Sequence, residues 1–378
     1  MMILDKQLPL RIGPELQQET SPEQSNFFIS SLWLNAYVEE WSRDACYGLL
    51  RSDEDGDVRV AAISKGMLKS RLGINYVSLG FNEASERLVQ NLTLEFNDFV
   101  PLGADQKLLD VNLFRSLFDQ SLSLLLAEKG WQELRVSAVS NSRAEVIKHL
   151  AANKNLIVEV FSERKTYWID LCEIRKNFGE DFILSRSANT RAQLRKALRT
   201  TELTLGACSL RAAESVEEAQ IWLNELGNLH SKKWNQAQSI EGFTNPRFVA
   251  FHRKLITSMW PKGEVQILRI QAGKSVLGYL HMFVVGGYVY FNMSGIDYDQ
   301  PLAKSPGLIC HWFAINYYHE RQARIYDFLA GDNRYKQSLC THQLGQTHLL
   351  LRKKTWYFVL ESALRKLKVY VTSRDALK

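Results

Sequence analysis

EVQILRIQAGKSVLGYLHMFVVGGYVYFNMSGI, residues 264–296, reads as three apolar runs parted by two short breaks. Residues 264–270, 276–285 and 288–296 carry the aliphatic, β-branched and aromatic side chains that strands favour. The breaks, QAGKS and Gly286-Gly287, are short enough to close antiparallel hairpins. A three-stranded meander is therefore expected. Around it the period changes. Ser215-Val-Glu-Glu218 is a capping box, and the helix it opens sets Ala219, Trp222, Leu223, Leu226 and Leu229 on one face. After the meander a loop, DYDQPLAKSPG, enters LICHWFAINYYHERQ, whose spacing is helical. RIYDFL (324–329) predicts a strand, DNRYKQSL a helix start, and THLLL (347–351) a last strand before a basic helix.

The first half repeats this rhythm without repeating the residues. YGLLR (47–51), VRVAAIS and INYVSLGF (74–81) predict strands, and VNLFRSLFDQSLSLLLAEKG a helix. ELRVSAV (133–139) is then a strand, SRAEVIKHLAAN a helix, and YWIDL (167–171) a closing strand. The order β-β-β-α-β-α-β thus occurs twice, the mark of an architectural duplication. An α/β fold of two tandem lobes follows, each a mixed, mostly antiparallel sheet flanked by helices. The boundary falls within 172–186, giving lobes of 1–180 and 181–378.

Bulk numbers narrow the function. Net charge is +6, and residues 352–378 alone hold eight Lys/Arg against Glu361 and Asp375. The rest is near neutral, which argues against a nucleic-acid partner. Cys46, Cys172, Cys208, Cys310 and Cys340 are scattered, odd in number and free of any metal-ligand spacing. Reduced thiols in a cytoplasmic protein without a metal are expected. The first residues show no secretory pattern, and no apolar run suffices to span a membrane.

Several blocks resemble the CelD-like branch of the GNAT acyltransferase superfamily, linked to cellulose and exopolysaccharide biosynthesis. They are LHSKKW (229–234), EGFTNPRFVAFHRKLI (241–256), KSPGLI (304–309) and YDFLAGDNRYKQSL (326–339), with NFFISSLWLNAYVEEW (26–41) and LTLEFNDF (92–99) in the first half. The resemblance implies two GNAT-like lobes, related to the Fem-type aminoacyl transferases, and acetyl-CoA as co-substrate. The superfamily's glycine-rich phosphate loop is absent, and Ser305-Pro306-Gly307 takes its place in the order of elements.

Candidate residues follow. Lys304, Ser305, Pro306 and Gly307 precede a helix. Pro suits a first helical turn, Ser can cap free amides, and the helix end attracts a pyrophosphate. Asp327 lies on a strand whose alternation sends Tyr326, Phe328 and Ala330 to one face and Asp327 and Leu329 to the other. A carboxylate inside a sheet is costly unless paired, and Lys336 or Arg334 is the expected partner. Asp327 is the candidate base or acceptor-orienting group, and Lys336 a candidate substrate contact. Tyr335 is the candidate proton donor to the leaving thiolate, as the resemblance implies. His230 sits on its helix's apolar stripe and is either a core histidine or a general base or substrate contact at the cleft between the lobes. His252 follows the same logic, while Trp234 reads as packing or substrate contact. Arg191, Arg195 and Arg199 share a helix face, either solvated or gathered on a phosphate. In the C-terminal helix Tyr357, Leu360, Leu364 and Leu367 form one stripe, to be packed on the lobe or laid on an anionic membrane.

The expected activity is transfer of an acetyl group from acetyl-CoA to an amine or hydroxyl of a saccharide or small molecule. Fem-type transfer from charged tRNA, or a non-catalytic subunit of a polysaccharide assembly, stands as the alternative.

Overall fold

The structure, a computed structural model, describes residues 2–5, 27–30, 32–37, 40, 46–54, 57–83, 94–101, 109–179, 181–235 and 242–375. The first half holds β1 (Met2–Asp5), helix α1 (32–37), β2 (Cys46–Glu54), β3 (Asp57–Lys69), β4 (Asn75–Phe81) and the short β5 (Val100–Pro101). It continues through α2 (Val111–Ala127), β6 (Glu133–Ser140), α3 (Asn141–Asn153), β7 (Ile157–Asp170) and α4 (Leu171–Phe178). The second half holds α5 (Ala188–Leu205), β8 (Cys208–Ala212), α6 (Val216–Asn235) and α7 (Pro246–Met259). Then come the meander β9 (Val265–Ala272), β10 (Ser275–Val285) and β11 (Tyr288–Ile296), with α8 (Pro306–Glu320) and β12 (Ile325–Ala330). Helix α9 (Arg334–Leu339), β13 (His342–Arg352) and α10 (Trp356–Asp375) close the chain. All elements of both predicted repeats are present, β7 and β13 being longer than their apolar cores suggested.

Every described strand joins one sheet, in the order β1-β2-β3-β4-β6-β13-β7-β12-β11-β10-β9-β8, with β5 attached to β3. The order is palindromic. Each repeat's last strand has crossed over: β7 pairs with β12 of the second half, and β13 pairs with β6 of the first. The exchanged strands also pair with each other, antiparallel from His342↔Trp168 to Arg352↔Ile157. Division near residue 180 therefore separates the sequence repeats but not the sheet.

The core crosses the same line. Phe27, Phe28 and Trp33 are buried beside Phe251, Phe283 and Tyr290 of the second half, with ring centroids 4.3 Å apart for Phe27–Phe283 and 5.0 Å for Trp33–Phe251. Removing such a buried ring costs about 3–5 kcal/mol. On the other face α8 packs against α5, β10 and β11 around Leu280, Ile309 and Ile315, and α2 and α3 cover the first half. Ser215 Oγ accepts the Glu218 N–H at 3.1 Å, as the capping box requires, and Glu218 reaches back to the Glu214 N–H.

The C-terminal helix departs from expectation. Tyr357, Phe358 and Glu361 are buried, whereas Leu360 and Leu364 of the expected packed stripe face solvent. The β3–β4 hairpin supplies the reason, since Leu68 and Tyr76 bury Tyr357 and Phe358 beneath the helix. The side chain of Leu367 lies outside the described residues.

Candidate active site

In the meander half, β11 and β12 run parallel but pair only over Tyr288↔Ile325, Val289↔Tyr326 and Tyr290↔Asp327. Beyond these the strands part, and α8 begins behind the gap. At the same point β12 loses register with β7: Asp327 pairs with Trp168 and Ala330 with Thr166, and Leu329 takes a left-handed φ of 58°. A bulge of this kind turns backbone groups out of the ladder, and buried charges satisfy them here. Asp327 Oδ1 accepts the Leu329 N–H at 2.7 Å and the Thr166 hydroxyl at 3.4 Å. Lys336, folding back from the first turn of α9, donates to the carbonyls of Phe328 at 2.7 Å and Ala330 at 2.8 Å. Glu95, from the first half, accepts the Ala330 N–H at 2.8 Å and the Gln346 side-chain amide. A Cβ at Gly331, whose φ is 129°, would lie 3.1 Å from the Lys336 ammonium.

Asp327 is thus buried, as alternation predicted, but the expected pairing takes another form. Lys336 donates to backbone carbonyls, and its charge acts on Asp327 through space. Burial raises the Asp327 carboxyl to about 6, against the lowering effects of the Leu329 amide and the Lys336 charge. Burial likewise raises Glu95, with Asp327's charge adding to it, and depresses Lys336. Arg334 is exposed at the start of α9.

Tyr335 points the other way, into the gap. Its ring stacks on His311 at 4.7 Å, and His311 Nδ1 lies 3.0 Å from the Tyr326 hydroxyl. Burial holds His311 neutral, near 3. Burial, then the neighbouring Tyr298 phenol, raises Tyr335 so that it keeps its proton. Tyr298 reaches the turn that opens α8: a Cβ on Gly307 would lie 3.1 Å from its hydroxyl. Pro306 opens α8 as expected, but Ser305 does not cap it. Ser305 adopts φ 49°, ψ 55° and makes no side-chain cap bond, because a left-handed residue turns its hydroxyl away from the first amides. Lys304 is exposed, and its backbone N–H is anchored by Thr201 Oγ1 at 3.0 Å.

The remaining candidates are spread out. His230 lies across the sheet from Tyr335, on α6, with Nδ1 3.0 Å from the Ser294 carbonyl of β11. Contact is close there, since a Cβ on Gly295 would meet the Leu226 carbonyl. His252 is buried among Phe248, Phe251 and His281, and burial keeps its ring neutral. Arg191 is engaged by the carbonyls of Arg186 and Leu184, whereas Arg195 is exposed on α5. The side chain of Trp234 lies outside the described residues. Among those residues no cluster of ligands suits a metal ion.

The equivalent gap in the first half is closed. β4 and β6 pair over Ser78↔Glu133, Leu79↔Leu134 and Gly80↔Arg135, then part. The segment 94–99 fills the opening. The Asn97 side chain donates to the Phe81 carbonyl of β4 at 2.9 Å, and its backbone N–H to the Ala138 carbonyl of β6 at 2.9 Å. Asn82 donates to the Asp98 carbonyl at 2.8 Å, and Arg143 pairs with the Asp98 carboxylate at 2.6 Å. The same segment delivers Glu95 to the bulge. Sequence reasoning missed Glu95, Gln346 and Tyr298. The one signal for Glu95 was an acid set within the alternating LTLEFNDF.

Beside the bulge, a cleft of about 1030 Å³ runs along the β7–β13 seam. Asn141, Tyr167, Asp332, Gln337 and Gln346 contribute to its walls. Tyr167 donates to Asp332 at 3.1 Å, and Gln346 Oε1 is buried with no partner among the described residues.

Residues 188–337, from α5 into α9, match the family model described as an acetyltransferase (GNAT) domain. The crystal structure of FemX is similar at TM-score 0.52 and 10% identity, covering 82% of this chain and 90% of that one. A conserved protein of unknown function from Bacteroides thetaiotaomicron is similar at TM-score 0.51 and 8% identity, covering 88% and 93%. No curated protein matches the chain. At such identities the likeness speaks for the fold. Residues 188–337 thus match a GNAT acetyltransferase domain, and the chain as a whole is similar in fold to FemX.

Proposed function

We propose that the protein transfers an acetyl group from acetyl-CoA to an amine or hydroxyl of a saccharide or small-molecule acceptor. The observation that carries this reading is the parting of β11 and β12 in front of α8, within the GNAT-matched residues. A thioester laid in that gap has the α8 end, with Lys304, Ser305, Pro306 and Gly307, for its pyrophosphate. The acceptor attacks the thioester carbonyl, its proton passes to a base, the C–S bond breaks, and the thiolate takes a proton. Asp327 is assigned the base, with His230 on the acceptor's side of the sheet, and Tyr335 the proton donor. The seam cleft, rich in amides and hydroxyls, suits a polar acceptor such as a saccharide, in line with the CelD-like resemblance. The likeness to FemX gives comparable support to a second reading, aminoacyl transfer from charged tRNA. Calorimetry with CoA, then thiol release from acetyl-CoA with amino-sugar acceptors, tests the first. Absence of CoA binding at millimolar concentration, with turnover only on aminoacyl-tRNA, would establish the second. Binding of neither would leave a non-catalytic subunit.

A further inference from the structure

Helix α10 shows two unlike faces. Tyr357, Phe358 and Glu361 are buried against the β3–β4 hairpin, with the Leu72 N–H donating to Glu361 at 3.3 Å. Trp356, Val359, Leu360 and Leu364, spaced by three and four, lie on the outer side with exposures of 68%, 48%, 43% and 50%. Leu72, at the hairpin tip, is also exposed. One tryptophan and four aliphatic residues set together in water are unusual for a surface with no further role.

The charges in this stretch of sequence are mostly cationic, with Glu361 and Asp375 the exceptions. Arg71 adjoins Leu72, Lys353 and Lys354 precede the helix, and the helix sequence continues with Arg365, Lys366, Lys368 and Arg374. Nearby acids are already satisfied: Glu159 pairs with Arg352 and Arg365, and Glu361 is buried under Leu72. An apolar strip with a tryptophan at its end, beside the exposed Arg71 and Lys354 and in a sequence rich in cations, matches the interface of an anionic bilayer. Ring and aliphatic groups enter the headgroup boundary while the ammonium groups meet lipid phosphates. A second copy of this chain fits poorly, since a two-fold contact would set these cations against their own equivalents. No described helix is long and apolar enough to cross a membrane.

We propose that the outer face of α10, with the hairpin tip at Leu72, docks the protein on membrane surfaces rich in anionic lipid. The inference does not depend on which acyl donor the protein uses. Co-sedimentation with vesicles of pure phosphatidylcholine, and of phosphatidylcholine mixed with phosphatidylglycerol, tests it. Binding to the anionic vesicles alone is expected, weakening as salt screens the cations. Trp356→Ala and Leu364→Glu are each expected to lower that partitioning at least about tenfold. Both positions are exposed, so circular dichroism and melting temperature should match the wild type, separating lost docking from lost fold. No binding to anionic vesicles, or equal binding by Leu364→Glu, overturns the proposal. So does a concentration-dependent dimer that Leu364→Glu dissolves.

Discussion

Glu95 and Lys336 grip opposite sides of one residue: the Ala330 N–H goes to Glu95 and the Ala330 carbonyl takes the Lys336 ammonium, each at 2.8 Å. The first half of the chain thereby helps to hold the bulge of the second. Lys336→Met should lower unfolding free energy by about 3 kcal/mol, and Glu95→Ala by about 1–3 kcal/mol, because each leaves buried backbone groups unsatisfied. The effects should not add, with a coupling of about 0.5–3 kcal/mol in a double-mutant cycle. Urea titration of the four proteins measures it, and strict additivity would separate the two residues.

Asp327 gives a pH signature. Its folded value of about 6 lies above the ordinary 3.8, so the folded state holds the proton more tightly. The stability it contributes is complete below the ordinary value and is lost as pH rises through about 6. Activity runs in the opposite sense if Asp327 is the base, rising through about 6 and levelling above it. Asp327→Asn keeps an oxygen for the Leu329 N–H, so the fold should persist while transfer falls by about 10²-fold or more. An unchanged rate profile in the variant would relegate Asp327 to holding the bulge.

The donor end separates binding from turnover. Gly307→Val puts a branched side chain against the Tyr298 hydroxyl and over the first turn of α8. CoA affinity should fall at least about tenfold, roughly 1.4 kcal/mol, while the change in helix propensity is well under about 1 kcal/mol. Tyr335→Phe keeps the stack on His311 and removes only the hydroxyl. Slower turnover with unchanged CoA affinity in calorimetry is expected, and equal turnover would remove Tyr335 from the chemistry.

A cut between the sequence repeats should not part the protein. Phe182 and Ile183 of the connection are buried, and Arg186 is tied to the Leu339 carbonyl at 2.8 Å, so the segment resists proteolysis as it stands. A cleavage site engineered at Gly179, in the turn after α4, should give two pieces that co-elute in native gel filtration and separate in denaturant. Two independently folded fragments would contradict the exchanged strands.

Much of this was legible from period alone. The 264–296 meander appears with breaks at the expected places, because apolar runs and turn residues there are both local signals. Asp327 was legible for the same reason, as a polar residue on a strand's inward phase. Glu95 was not, because its role depends on a contact across 235 positions to Ala330, and nothing local announces such a distance. The exchange of β7 and β13 was hidden likewise: either strand fits either place by composition, and long-range register decides. Ser305 has the right residue type for a cap, but its backbone is left-handed, next to a loop that Thr201 holds by the Lys304 N–H, and neither feature is local to the sequence.

The crossing of β7 and β13 also orders events during synthesis. When the first repeat has left the ribosome, the edge of β6 lacks its native neighbour, because β13 has yet to be translated. Such an edge presents unpaired amides and carbonyls to any other chain. Its mate arrives only after the whole second repeat, and pairing so distant in sequence is slow to form. The nascent first repeat is therefore a natural client for chaperones, and truncation before β13 leaves an aggregation-prone remnant in place of half a protein.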